Sequence, residues 1–170
     1  HIHADGCNRI LIENHHLRYR QAGRLVQRIL EIETYRMLAL LGLPLARHYS
    51  LDLTDCDSKL EIITQQLALH REDENEQQLL DELSWIAADV EHIAATGGYR
   101  FSATSAYYGL IQRRISELRE QRIEGAQSFN EFMERRLEPA VRTCAWVSDR
   151  LKALSCVCGG LLFVIDAGVK

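Results

Sequence analysis

Apolar residues along this chain recur mostly at helical intervals. From about Leu17 the pattern turns helical: Ala22, Leu25, Ile29 and Ile32 recur at spacings of three and four, with Val26, Leu30 and Met37 widening the stripe. Arg18, Arg20, Arg24, Arg28 and Glu31 take the polar side. From Met37 to Ala46 the helix is apolar nearly all round, which predicts that neighbours enclose it. Pro44 lacks a backbone donor and clashes with the preceding turn, so a kink or helix end is expected beside Gly42.

A second helix is expected to start near Thr54, which suits a cap, with Asp55 and Asp57 at the positive end of the dipole. Its seam is Leu53, Cys56, Leu60, Ile63 and Leu67. After the polar break "HREDEN" (70–75) comes a third seam, Leu79, Leu83, Ile86, Val90 and Ile93. Both seams have heptad spacing, and the short polar link predicts an antiparallel helical hairpin. "TGG" (96–98) carries the glycine expected after a helix end.

A fourth helix is then expected to open inside "YRFSATSAYY" (99–108), capped by Ser102 with Phe101 before it, and to run along Tyr108, Ile111, Ile115 and Leu118. "EGAQ" (124–127) breaks it. Ser128 with Glu131 forms a capping box for a fifth helix, whose seam of Met133, Leu137, Ala140, Cys144, Val147, Leu151 and Leu154 is the most regular in the chain. A bend is expected at Pro139. "CVCGGLLFVIDAGVK" (156–170) reads as strand-like and outside the fifth helix's period. "RILIE" (9–13) reads as a short strand belonging to a sheet upstream.

The predicted fold is therefore all-α: four or five long antiparallel helices in a bundle or coiled-coil-like assembly, with one short N-terminal strand. The expected organisation is the end of an upstream mixed domain over 1–16, a helical bundle region over 17–155 and a divergent tail over 156–170. The first residue, His1, is not Met, and the chain reads as a fragment.

Composition supports the helical reading, with two prolines and ten glycines among 170 residues. The net charge of -4 is unevenly spread. Residues 1–48 carry a net charge of about +3, residues 49–98 about -10 and residues 99–170 about +3. An acidic middle between basic flanks favours packing between segments and excludes a sustained basic face for nucleic acid. The five cysteines are irregularly spaced, with Cys56 and Cys144 on apolar seams, which fits buried thiols in a reducing compartment. The longest apolar runs, "MLALLGLPLA" (37–46) and "VCGGLLFVI" (157–165), fall short of the roughly 20 residues of a membrane span.

"YRFSATSAYY" holds four of the chain's twelve aromatic residues. Tyr99, Tyr107 and Tyr108 with Arg100, Arg113 and Arg114 have the chemistry to stack bases or bind phosphate. The seam position of Tyr108 and the small residues around it favour packed tyrosines at a helix start. "EIETYR" (31–36) offers Glu31, Glu33, Tyr35 and Arg36, of which Glu33 suits pairing with an arginine of another helix; no Glu-x-x-His of a di-metal site lies on the predicted helices. His1, His3, Cys7, His15 and His16 form a loose cluster, and Cys156 and Cys158 a Cys-x-Cys pair, neither a full zinc set. No phosphate loop, G-x-S-x-G or H-E-x-x-H occurs. The residues therefore assign no catalytic, cofactor or metal role. Glu33, Tyr35, Arg36, Tyr99, Arg100, Tyr107, Tyr108 and Arg113 are the candidate structural or partner contacts.

"AGRLVQRILEIETYRMLALLGLPLAR" (22–47), "YRFSATSAYYGLIQRRISELREQRI" (99–123) and "SFNEFMERRLEPAVRTC" (128–144) together resemble a bacterial domain-of-unknown-function family described as predicted membrane-anchored proteins. The resemblance covers roughly residues 8–155 and departs over 156–170. It implies an N-terminal mixed domain, a long helical region and a hydrophobic anchor, with this chain as the central to late helical region. It carries no activity and no catalytic residues. The expected role is a non-enzymatic scaffold or interaction region at the cytoplasmic face of a membrane, soluble as a fragment, with self-association or a protein partner through its helical seams. The alternative is an ion- or ligand-sensing helical stalk of a transport-like membrane protein, suggested by the acidic stretch from Asp52 to Glu91.

Overall fold

The computed structural model describes residues 10–69 and 76–168, and these form four α-helices. They are α1 (Tyr19–Leu40), α2 (Leu43–Leu69), α3 (Glu76–Leu118) and α4 (Phe129–Gly168). At 1.5 Å per residue, α3 and α4 are each roughly 60 Å long and make the two spines of the molecule. The fold is the expected helical bundle, with four helices; the third and fourth helices read from the sequence are one, α3.

α1 begins where Asn14 folds the incoming chain, its Oδ1 accepting from the Leu17 N–H at 2.7 Å and its Nδ2 donating to the Leu17 carbonyl at 3.1 Å. The Gln21 side chain then reaches back to accept from the Arg18 N–H at 2.9 Å, satisfying a donor that the helix leaves unpaired. Residues 10–13, the described part of the expected strand, are irregular, and Arg9 lies outside the described residues. Among the described residues there is no strand to pair with them.

The expected break at Gly42 and Pro44 is present. Gly42 is buried between α3 and α4, and a Cβ there would collide with the Thr104 hydroxyl and stand 3.3 Å from Cys144 Sγ. Only glycine lets the turn come this close. Thr104, 2% exposed, donates its hydroxyl to the Ala39 carbonyl at 3.0 Å. That carbonyl is one of those the end of α1 leaves unpaired. Pro44 falls in the first turn of α2, where its missing N–H costs nothing. The second helix therefore starts at Leu43, eleven residues before Thr54. Thr54 caps nothing; its hydroxyl bonds back to the Ser50 carbonyl at 2.9 Å, inside a continuous helix.

α1 and α2 are two pieces of one track laid antiparallel on α3. Arg28 meets Glu117, Glu31 meets Arg114, Tyr35 meets Tyr107, Ala39 meets Thr104, and Tyr49 meets Thr96. The register stays constant to within a turn across the break. α4 runs back along both.

α3 does not end at Thr96-Gly97-Gly98. Gly97 is buried, and a Cβ on it would lie 2.8 Å from the Phe101 ring and 3.5 Å from Tyr49. The glycine makes room for a ring that is itself 3% exposed. Core residues before it (Val90, Ile93) and after it (Phe101, Ile111) hold the helix together against a cost of about 1 kcal/mol per glycine. Ser102 is exposed in mid-helix and Phe101 is a core residue, so neither acts at a helix start.

The connection from α3 to α4 carries the two left-handed residues found among the described ones, Arg119 (φ 50°) and Gly125 (φ 80°). Ser128 Oγ accepts from the Glu131 N–H at 3.1 Å, as its capping position predicts. The Glu120 carboxylate accepts from the N–H groups of Phe129 and Asn130, the latter at 3.1 Å, placing negative charge at the positive end of α4. α4 then runs through Pro139 and on through the tail. Leu151, Leu154, Cys158 and Ile165 are all buried, with Leu161 half-buried between them, so the expected seam continues past residue 156 at the same spacing. The seven-residue step decides the conformation over the strand-like composition, while Gly159 and Gly160 face outward.

The core has two parts. The larger gathers α2, the first half of α3 and the second half of α4 around Leu53, Leu83, Val90 and Val147, each 0% exposed. The smaller gathers α1, the second half of α3 and the first half of α4 around Ile32, Ile111, Met133 and Leu137.

Candidate functional site

The eight candidate residues separate into two groups. Tyr35 and Tyr107 stack at 6.0 Å between ring centroids with planes 21° apart, joining α1 to α3. Tyr108, half-buried beside them, accepts a hydrogen bond from Gln112 Nε2 at 2.8 Å. Glu33 and Arg36 pair along α1 at 2.8 Å, with only 18% and 13% of their side chains exposed. This pairing is local, one turn apart along α1. Tyr99, Arg100 and Arg113 lie on the solvent side of α3 and do not join the others. Tyr99 stands about two helical turns from Tyr107 along the axis. The aromatic stretch is therefore one helix showing two faces.

The principal polar link of this region lies elsewhere. Arg114 Nη1 donates to Glu117 Oε2 at 3.0 Å, and its Nε lies 2.8 Å from Glu31 Oε2, off the line of a good hydrogen bond. Arg28 Nη1 donates to the Glu117 carbonyl at 3.3 Å, and Gln27 Nε2 to Glu31 Oε1 at 2.9 Å. The hydrogen bond that Arg114 donates to Glu117, with the charges of Glu31 and Glu117, holds the Arg114 proton more tightly than usual. The three-residue step from Arg114 to Glu117 is visible in the sequence; the partnership with Glu31 requires the fold.

At the other end, Arg150 of α4 grips Asp57 of α2 with Nε and Nη2, the first bond 2.7 Å long. Ser155 donates to Glu91 Oε1 at 2.6 Å, joining α4 to α3. Cys56, Cys144 and Cys158 are free and buried, and burial raises each thiol's pKa above its usual value. Protonated thiols of this kind are poor nucleophiles and metal ligands. Cys156 is exposed, while His1, His3 and Cys7 lie outside the described residues. Among the described residues no three His, Cys, Asp or Glu side chains converge to hold a metal ion. The depressions on the surface are open and shallow; one follows α1 along Gly23, Val26, Leu30 and Thr34.

No helix among the described residues is long and apolar enough to cross a membrane. What fold and surface define is an elongated, all-helical bundle whose polar side chains tie helices together. By sequence, residues 1–158 match the family described as Protein of unknown function (DUF3422), and the chain belongs to it. Neither the curated proteins nor the solved structures compared with it give a match.

Proposed function

We propose that this chain is a non-enzymatic helical scaffold, the interaction region of a membrane-anchored bacterial protein. The observation that carries the reading is the use made of the polar residues. The most enclosed ion pairs and hydrogen bonds among the described residues, Glu33 with Arg36, Arg114 with Glu31, Asp57 with Arg150 and Thr104 with Ala39, link helices or turns of one helix. A bundle roughly 60 Å long fixed in this way is suited to holding two attachments at a set separation.

The anchor and the bacterial origin come from the family resemblance of the motifs over residues 22–47, 99–123 and 128–144. The anchor would lie outside the residues described here. Expressing the full-length gene and fractionating the cells tests the reading. Recovery with membranes, resistant to high salt and released by detergent, is expected; a freely soluble product contradicts it.

A further inference from the structure

Three cysteines lie on the apolar seams of the bundle, and two of them share a level. α2 and α4 both run antiparallel to α3, so they run parallel to each other. Gly42, at the entrance to α2, fixes their register: a Cβ on it would stand 3.3 Å from Cys144 Sγ of α4. Cys56 lies fourteen residues beyond Gly42, and Cys158 fourteen beyond Cys144. At 1.5 Å per residue, both steps climb about 21 Å. Each step is also two seven-residue repeats, which return a side chain to the same face of its helix. Cys56 (5% exposed) and Cys158 (2%) therefore come to one level of the same apolar core.

α3 gives an independent check. Glu91 accepts from Ser155, one turn before Cys158, and its charge acts on the Cys158 thiol. Asp89, two residues away, acts on the Cys56 thiol, and so does Cys158 itself. Such coupling requires that the two sulfurs lie near each other. The remaining charges beside Cys56, Asp55 and Lys59, pair with each other on the solvent side of α2. Cys144 is about 21 Å along the bundle from either thiol, far beyond the roughly 7 Å between Cα atoms that a disulfide spans. Cys156 is exposed, on the opposite side of α4 from Cys158. The way in is the end of α4. Gly159 and Gly160 follow Cys158 and face solvent, and glycine weakens a helix. Opening of the last turns uncovers Cys158 while Cys56 stays within α2.

We infer that Cys56 and Cys158 are a redox-responsive clasp, which joins α2 to α4 by a disulfide when the chain meets a small-molecule disulfide. The uncovered Cys158 thiol gives its proton to water, and its sulfur attacks one sulfur of the small disulfide. That S–S bond breaks, and one half leaves as a thiolate and takes up a proton. Cys56 then loses its proton and attacks the Cys158 sulfur of the mixed disulfide, expelling the second small thiol. Two protein thiols are oxidised by two electrons, and the small disulfide is reduced to two thiols. The clasp goes beyond the scaffold reading and holds or fails without it.

Incubating the folded 170-residue chain with glutathione disulfide, in the absence of urea, tests this. Peptide mapping is expected to find Cys56 linked to Cys158 and Cys144 free. The urea midpoint of the linked chain should rise, because the bond closes the long loop between positions 56 and 158 in the unfolded chain, and dithiothreitol should reverse the rise. Cys144→Ala keeps the link, whereas Cys56→Ala abolishes it and leaves glutathione on Cys158. Cys156, being exposed, reports that the oxidant is active. Cys56 and Cys158 still free once Cys156 has reacted, a link that forms only in urea, or a linked chain with a lowered urea midpoint would overturn the inference. Should Cys56→Ala fail to fold, the mapping of the parent chain decides alone.

Discussion

The two halves of the bundle are built from the same two spines and held in different ways. The half containing α2 is a regular apolar stack: heptad steps on α2, on α3 from Leu79 to Ile93, and on α4 from Cys144 to Ile165. Among the described residues the core cluster of the half containing α1 has six buried apolar side chains, against seventeen in that of the other. Tyrosine stacking, the Arg114 network and half-buried aromatics make up the remainder. Where the apolar seam is thin, polar and aromatic contacts set the register of the helices. Such contacts fix geometry well and add little stability, because charges at a partly exposed site exchange one set of good partners for another.

The largest effect should come from the apolar half. Leu83→Ala should cost about 2–5 kcal/mol and lower the denaturation midpoint sharply, since the residue is wholly enclosed. A change below about 1 kcal/mol, measured by urea unfolding, would mean that this half is loosely packed. Next comes the junction. Gly42→Ala drives a methyl into Thr104 and should cost about 1–3 kcal/mol. Thr104→Val keeps the volume but removes the donor from the Ala39 carbonyl, for about 1–3 kcal/mol. If both variants unfold like the parent chain, the break between α1 and α2 is looser than described.

A smaller effect follows from the thiols. Cys56, Cys144 and Cys158 have raised pKa values in the folded chain, chiefly through burial. Below the unfolded thiol pKa of about 8.5 their burial is uncompromised; above it the unfolded chain loses protons that the folded chain keeps. Stability should therefore fall as pH rises from about 8.5 through the folded values, and Cys144→Ala should flatten that fall. A stability that rises over the same interval has the opposite sign and would sink the assignment. The smallest effect should be in the network of the α1 half: Arg114→Met is expected to change stability by about 0–1 kcal/mol and to make it less dependent on salt. A loss comparable with Leu83→Ala would reverse the contrast between the halves.

The same contrast explains what could be read from the sequence. Seams with seven-residue steps were legible in full: the residues expected to line α4 from Met133 to Leu154 are buried, as are Leu79 through Ile93. The Ser128 cap and the break beside Gly42 were legible because each rests on local chemistry. What failed was punctuation read without its tertiary setting. Thr96-Gly97-Gly98 has the composition of a helix end, and Phe101 packing against Gly97 makes it a helix interior. Thr54 resembles a cap, but the helix had begun at Leu43. The tail resembles a strand until Cys158 and Ile165 are counted from Leu151.

At the candidate site, the pair of Glu33 with Arg36 follows from their three-residue spacing, although an arginine of another helix was the partner expected for Glu33. The link from Arg114 to Glu31 joins residues distant in sequence and was not legible. The run from Met37 to Ala46 was expected to be enclosed, and Ala39 and Ala46 are; Met37 and Leu41 are open.

The central claim is that the two halves are one body, joined by an α3 that runs unbroken through its glycines. Amide hydrogen exchange across Ile93–Thr104, read residue by residue, tests this most directly. A continuous helix predicts that the amides of Gly97, Gly98, Phe101 and Ser102 exchange as slowly as those of the turns on either side. Exchange at Gly97 and Gly98 as fast as in an unfolded chain, between protected flanks, would contradict the claim and divide α3 at the point where its composition alone suggests an end.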